Sequence, residues 1–151
     1  MISIRTVLLF AVMMSAFGCT AVTVRPVETE LEIKHVCIED GREMCFDGEM
    51  LGVIRDGFER HGITSEVYKG GVVPSECEYH LTYMCNQTWD LAMYLHHAEL
   101  RLYHGRDRIG YAEYHLKGQG GLALNKLEST DKKMNPIIDE LLKSFPIVNP
   151  D

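Results

Sequence analysis

Between Ala92 and Lys117 the chain alternates polar and apolar residues along two runs separated by Gly105-Arg106-Asp107. A period of two fits an extended strand and not a helix, because successive side chains of a strand point to opposite faces. In Ala92–His104, Ala98, Leu100 and Leu102 fall on one face, and His97, Glu99, Arg101 and Tyr103 on the other. In Ile109–Lys117, Ala112, Tyr114 and Leu116 oppose Tyr111, Glu113, His115 and Lys117. Two such strands joined through a glycine read as an antiparallel hairpin with one apolar and one polar face. Setting Tyr103 opposite Tyr111 places Arg101 against Glu113 and Glu99 against His115. That ladder of solvated pairs contributes about 0.2–1 kcal/mol per pair.

The apolar face needs a cover, and two amphipathic segments can supply it. After Asp47, a good N-cap, Met50, Leu51, Ile54 and Phe58 recur at helical spacing, and His61-Gly62 closes the segment. Thr130–Phe145 gathers Ile137, Ile138, Leu141, Leu142 and Phe145 on one side. Pro136 is expected in or near the first turn there, since an interior proline costs about 3 kcal/mol. Runs 31–38, 64–68 and 78–85 are rich in strand formers. The order β-α-β-β-β-β-α predicts an α+β two-layer sandwich. Its mostly antiparallel sheet of four to five strands carries both helices on one face. Strands 64–68 and 109–117 are the expected edges.

Upstream of the domain, Arg5 precedes the apolar run Val7–Met14, which is too short to span a bilayer but fits the core of a secretory signal. Ser15-Ala16-Phe17-Gly18-Cys19 then places a small residue before a cysteine, which resembles the lipobox of bacterial lipoproteins. The resemblance implies cleavage after Gly18 and a diacylglycerol and a palmitate-like acyl chain on Cys19. An ordinary secretory signal, cleaved after Gly18 or Ala21, is the alternative. Cysteine arithmetic favours lipidation: of five cysteines, acylation of Cys19 leaves Cys37, Cys45, Cys77 and Cys85, an even set for an oxidising compartment. Several acyl chains on one residue anchor firmly, at about 0.8 kcal/mol per buried CH₂. Thr20 stands where an Asp tends to retain lipoproteins at the inner membrane. The resemblance therefore implies the outer membrane, with the domain facing the periplasm. Expected organisation is signal peptide 1–18, lipidated tether 19–30, periplasmic domain 31–146 and tail 147–151.

The mature chain resembles a family of small Gram-negative envelope lipoproteins. The matching residues are His35-Val36-Cys37-Ile38, Phe58-Glu59-Arg60-His61-Gly62-Ile63, Cys77-Glu78-Tyr79 and Trp89-Asp90, then Tyr94–Leu100 and Gly110–Leu116. The element order is also similar in architecture to the lipopolysaccharide-assembly lipoprotein type. The resemblance implies no activity or substrate. It implies Cys37 and Cys77 as the usual pair, with Cys45 and Cys85 additional. From the residues alone, four cysteines allow three connectivities. Strands 31–38 and 78–85, if antiparallel, bring Cys37 near Cys77 but leave Cys85 at the far end of its strand, away from Cys45.

The formal net charge is −7, made one unit more negative by loss of Arg5, and no run of Lys and Arg forms a basic patch. Such a chain repels phosphate backbones, so no nucleic acid is expected as a partner. No nucleophile elbow, phosphate loop or C-x-x-C motif occurs, so neither catalysis nor a cofactor is expected. His97, Glu99, Arg101, Tyr103, Tyr111, Glu113 and His115 form a candidate interaction face for an envelope protein, since Tyr and Arg are enriched in binding hot spots. The alternative is a metal or small-ligand site from His97, His115 and Glu99, with His80 as an optional fourth ligand.

Overall fold

The computed structural model describes residues 20–40, 45, 48–117 and 126–148, with the backbone alone at 90. The expected signal peptide, Cys19, the expected Asp47 cap and the end of the expected tail lie outside the described residues. Six strands and two helices follow one another: β1 (Thr20–Arg25), β2 (His35–Glu39), α1 (Glu49–Arg60), β3 (Thr64–Tyr68), β4 (Tyr79–Asp90), β5 (Ala92–His104), β6 (Asp107–Leu116) and α2 (Thr130–Leu141). All strands join one sheet in the order β1-β6-β5-β4-β2-β3. The fold is α+β, as expected, but the sheet has six strands instead of four to five.

The added strand is β1, in the stretch expected to be a tether. It pairs antiparallel with β6 from Thr20 opposite Leu116 to Arg25 opposite Tyr111. Val27 and Ile33 beyond it are buried in the core. Residues 20–30 are therefore part of the domain and not a spacer. The strand formers Val22, Thr23 and Val24 are the only local signal. An edge strand flanked on one side has a weak alternation of polar and apolar residues, so that signal is faint. Because β1 covers β6, the free edges are β1 and β3.

One face of the sheet carries the core. Leu81, Leu100, Leu102, Ala112 and Leu116 meet Met50, Ile54 and Phe58 of α1 and Met134, Ile138 and Leu141 of α2, all essentially inaccessible to water. Both helices therefore lie on this face, and they pack on each other. α1 ends in a Schellman turn: Gly62 at φ 70° donates to Glu59 O, and Ile63 N to Phe58 O at 3.0 Å. Pro136 sits inside α2, not near its start, and the helix stops at Leu141 short of Phe145. Burial of Met134, Ile137, Ile138 and Leu141, at about 1.5–3 kcal/mol each, outweighs the interior proline.

β4 runs antiparallel to β5, and β5 to β6, but β2 runs parallel to both β4 and β3. This reverses the antiparallel arrangement expected for the strands bearing Cys37 and Cys77. Both cysteine pairs nevertheless form. Cys37–Cys77 has Cα atoms 5.8 Å apart and Cys45–Cys85 5.5 Å, within the span a disulfide bridges. Parallel pairing explains the second bridge. The chain leaves β2 at the end of the sheet toward which β4 also runs, so Cys45 reaches Cys85.

The open face of the sheet as a candidate interaction site

The sheet face turned away from the helices collects every residue of the expected interaction face. Strand alternation points His97, Glu99, Arg101 and Tyr103 of β5 outward, with Tyr111, Glu113 and His115 of β6. The register differs from the expected ladder. A tight turn at Gly105, with φ 57°, pairs His104 with Asp107. An irregularity at Leu102/Tyr103 follows, and the rows become Tyr103 with Arg108, Arg101 with Tyr111, Glu99 with Glu113 and His97 with His115.

Two carboxylates therefore lie directly opposite each other, which is unfavourable unless neutralised. Cationic and hydrogen-bonding neighbours do that here. His97 Nε2 lies 3.2 Å from Glu113 Oε1 and 3.6 Å from Glu99 Oε1. The Arg101 guanidinium pairs with Glu99 Oε2, and the Tyr111 hydroxyl donates to Glu113 Oε2 at 3.1 Å. Burial, this hydrogen bond and the nearby carboxylates push the Tyr111 pKa up. Arg108 stacks over the Tyr111 ring at 5.0 Å.

Above this pair the histidines cluster. β4 and β5 slip by one residue at Asn86/Gln87, leaving His96 without an opposite number between Leu95 and His97. A bulge lets two successive side chains approach the same neighbour. The rings of His96 and His97 both lie 5.3 Å from that of His115. Burial, and then His115 and His97, hold the His96 pKa below its ordinary value. Strict alternation assigns His96 to the other face, so the sequence does not single it out.

His80 does not join this cluster. It lies opposite Tyr103 and stacks on it at 4.9 Å, two rows from Glu99. Its Nδ1 is buried without a hydrogen-bond partner among the described residues, and burial lowers its pKa despite Glu39. Of the expected ligands, His97 and His115 lie opposite each other with Glu99 in the next row of that face, and only the optional fourth, His80, stands apart. Among the described residues, one set of potential ligands is His97, Glu99 and Glu113, whose ligand atoms all lie within 4.8 Å of one another. A second such group, His35, Cys37 and Glu66, has its sulfur in the Cys37–Cys77 bridge and offers no thiolate.

Among the described residues, His61, Thr130 and Lys133 are buried polar groups beyond the face, and the sequence assigns none of them to a candidate site. Lys133 of α2 donates to the Lys126 carbonyl at 2.7 Å and the Leu95 carbonyl at 3.4 Å. Desolvation lowers its pKa, partly offset by Glu128. His61 places Nδ1 2.8 Å from the Phe145 carbonyl and Nε2 3.2 Å from Asp139, which also binds Arg60 at 2.8 Å. Together these contacts tie the end of α1 to α2, which makes the group a structural clamp.

No protein-family model and no curated protein matches the chain. Among solved structures, it is similar to the PelC dodecamer from Paraburkholderia phytofirmans, with a TM-score of 0.53 and 8% identity over 86% of this chain and 99% of that one. A variant of PelC from the same organism gives 0.53 and 9%, over 83% and 95%. The likeness is one of fold.

Proposed function

We propose that this chain is a non-catalytic outer-membrane lipoprotein, anchored through acylated Cys19 with its domain facing the periplasm. It acts there as an envelope interaction or assembly module through the open face of its sheet. The observation that carries this reading is the composition of that face. Tyr103, Tyr111 and Arg101, residue types that dominate binding hot spots, lie side by side among half-buried His and Glu. Both helices pack on the opposite face. The fold's likeness to a protein that assembles as a dodecamer supports an assembly role.

A second reading rests on the convergence of His97, Glu99 and Glu113. One imidazole and two carboxylates suit a divalent cation, and Arg101 would have to release Glu99 to admit it. The test of the main reading is photo-crosslinking in cells from a benzophenone side chain placed at Tyr103, followed by mass spectrometry. One dominant adduct is expected, either a second copy or another envelope protein, and it should be lost with Arg101→Ala. Diffuse labelling overturns the interaction reading. Stoichiometric zinc bound by the purified protein, and lost in His97→Ala, would establish the second one.

A further inference from the structure

Trp89, Leu91 and Met93 occupy the tip of the β4–β5 hairpin and are 69%, 86% and 49% exposed. Three large apolar side chains within five residues make a concentrated apolar projection. The tip is tight: Asp90 pairs with Ala92 across Leu91 alone. Leu91 takes φ 64°, where glycine or asparagine is the usual choice. A bulky apolar residue is therefore held at a position that turn chemistry alone would give to a small one.

The register fixes where this tip points. Thr20 opens β1 opposite Leu116, and the neighbouring His115 lies opposite His97. The start of β1 is therefore level with the His96 bulge. β4 and β5 continue from there to Leu91, five residues further, or about 16 Å at the rise of a strand. Cys19 immediately precedes Thr20, and one residue spans at most about 3.6 Å. The hairpin therefore runs on past Thr20, on the side from which the chain enters β1.

From this we infer that the β4–β5 tip is a second membrane contact, in which Trp89, Leu91 and Met93 enter the interface of the bilayer that holds the lipidated Cys19. The inference rests on the proposed lipid anchor. Tryptophan favours this depth, where its ring is buried and its N–H stays hydrated. The mature chain is acidic, so attraction to anionic lipids is not the driving force. Two attachment points orient the domain on the membrane, which an anchor alone does not.

Trp89 is the chain's single tryptophan, so emission excited selectively at tryptophan reports the tip alone. The test uses the full protein purified from membranes and placed in phosphatidylcholine–phosphatidylethanolamine vesicles containing brominated acyl chains. Mass spectrometry of the Cys19 peptide is run on the same sample. Acylated Cys19 with loss of most Trp89 emission is expected, and Leu91→Glu with Met93→Glu should restore the emission while acylation persists. Acylated Cys19 with unquenched Trp89, whether its emission is that of a hydrated ring or of one buried against protein, overturns the membrane contact and leaves the anchor standing. Unmodified Cys19 overturns the anchor reading and this inference with it.

Discussion

Two glycines in α1 should respond differently to the same substitution. Gly52 and Gly57 both lie inside the helix, where alanine is ordinarily better by about 1 kcal/mol. A Cβ at Gly52 meets nothing within 4 Å. Gly52→Ala should therefore stabilise by about that amount, or roughly 4 °C in Tm for a domain of this size. A Cβ at Gly57 would stand 2.6 Å from Cγ2 and 3.2 Å from Cδ1 of Ile138 in α2. Ile138 is fully buried and β-branched, so it cannot swing aside within a staggered rotamer. Overpacking of this kind costs about 1–3 kcal/mol. The propensity gain offsets part of it, leaving Gly57→Ala neutral to about 2 kcal/mol destabilising. The quantity to measure is the difference between the two variants, expected at about 1–3 kcal/mol. Urea unfolding of the oxidised protein supplies it, provided the m-values match. In an Ile138→Ala background the difference should collapse, since the clash is then removed. Equal stabilisation by both substitutions, or a difference that survives Ile138→Ala, would refute the α1–α2 contact described above.

Removing the Cys37–Cys77 bridge with paired serines opens a closure of 40 residues and should cost about 4 kcal/mol in the chain-entropy model; a loss under about 1 kcal/mol in chemical denaturation would show that the bridge constrains little. Lys133→Met strips the donor from the Lys126 and Leu95 carbonyls and should destabilise by about 1–3 kcal/mol, with an unchanged unfolding midpoint counting against that role. The pH dependence follows from His96, whose pKa in the fold lies below its ordinary 6.5. Between the two values the unfolded chain binds more protons, so stability rises with pH across that window and is lost as pH falls through and below 6.5. His80 is shifted the same way. Thermal unfolding from about pH 8 to about pH 5 should show this decline, and His96→Gln should lessen it; an equally steep profile in the variant would remove His96 as a cause.

Much of the candidate site is legible in the sequence. Alternation alone places all seven residues of the open face together, because a strand's side-chain period is fixed by backbone geometry. What alternation cannot supply is the offset between strands. It sets Glu99 beside His115, whereas Glu99 stands beside Glu113, since the Gly105 turn and the irregularity at Leu102/Tyr103 set the register. The same limit conceals His96. One extra residue in the β5 run shifts a ring onto the open face, and nothing local in Leu95-His96-His97 announces it.

The sequence by itself determined the α+β class, the two helical faces, the polar and apolar sides of β5 and β6, and the glycine stop at Gly62. Each is set by neighbours a few residues apart, and local sterics and periodicity carry that information. Tertiary structure alone decided that 20–25 is a sheet strand, that β2 is parallel to β4, that Cys45 meets Cys85 and that α2 tolerates Pro136. These depend on which distant segments share buried surface. A weak strand such as β1 exists because β6 offers it a row of unpaired backbone groups, and an interior proline survives because core burial offsets its cost. The overshoot of the β4–β5 tip past Thr20 belongs to the same class, since strand length is local but the level at which two strands begin is fixed only by their pairing.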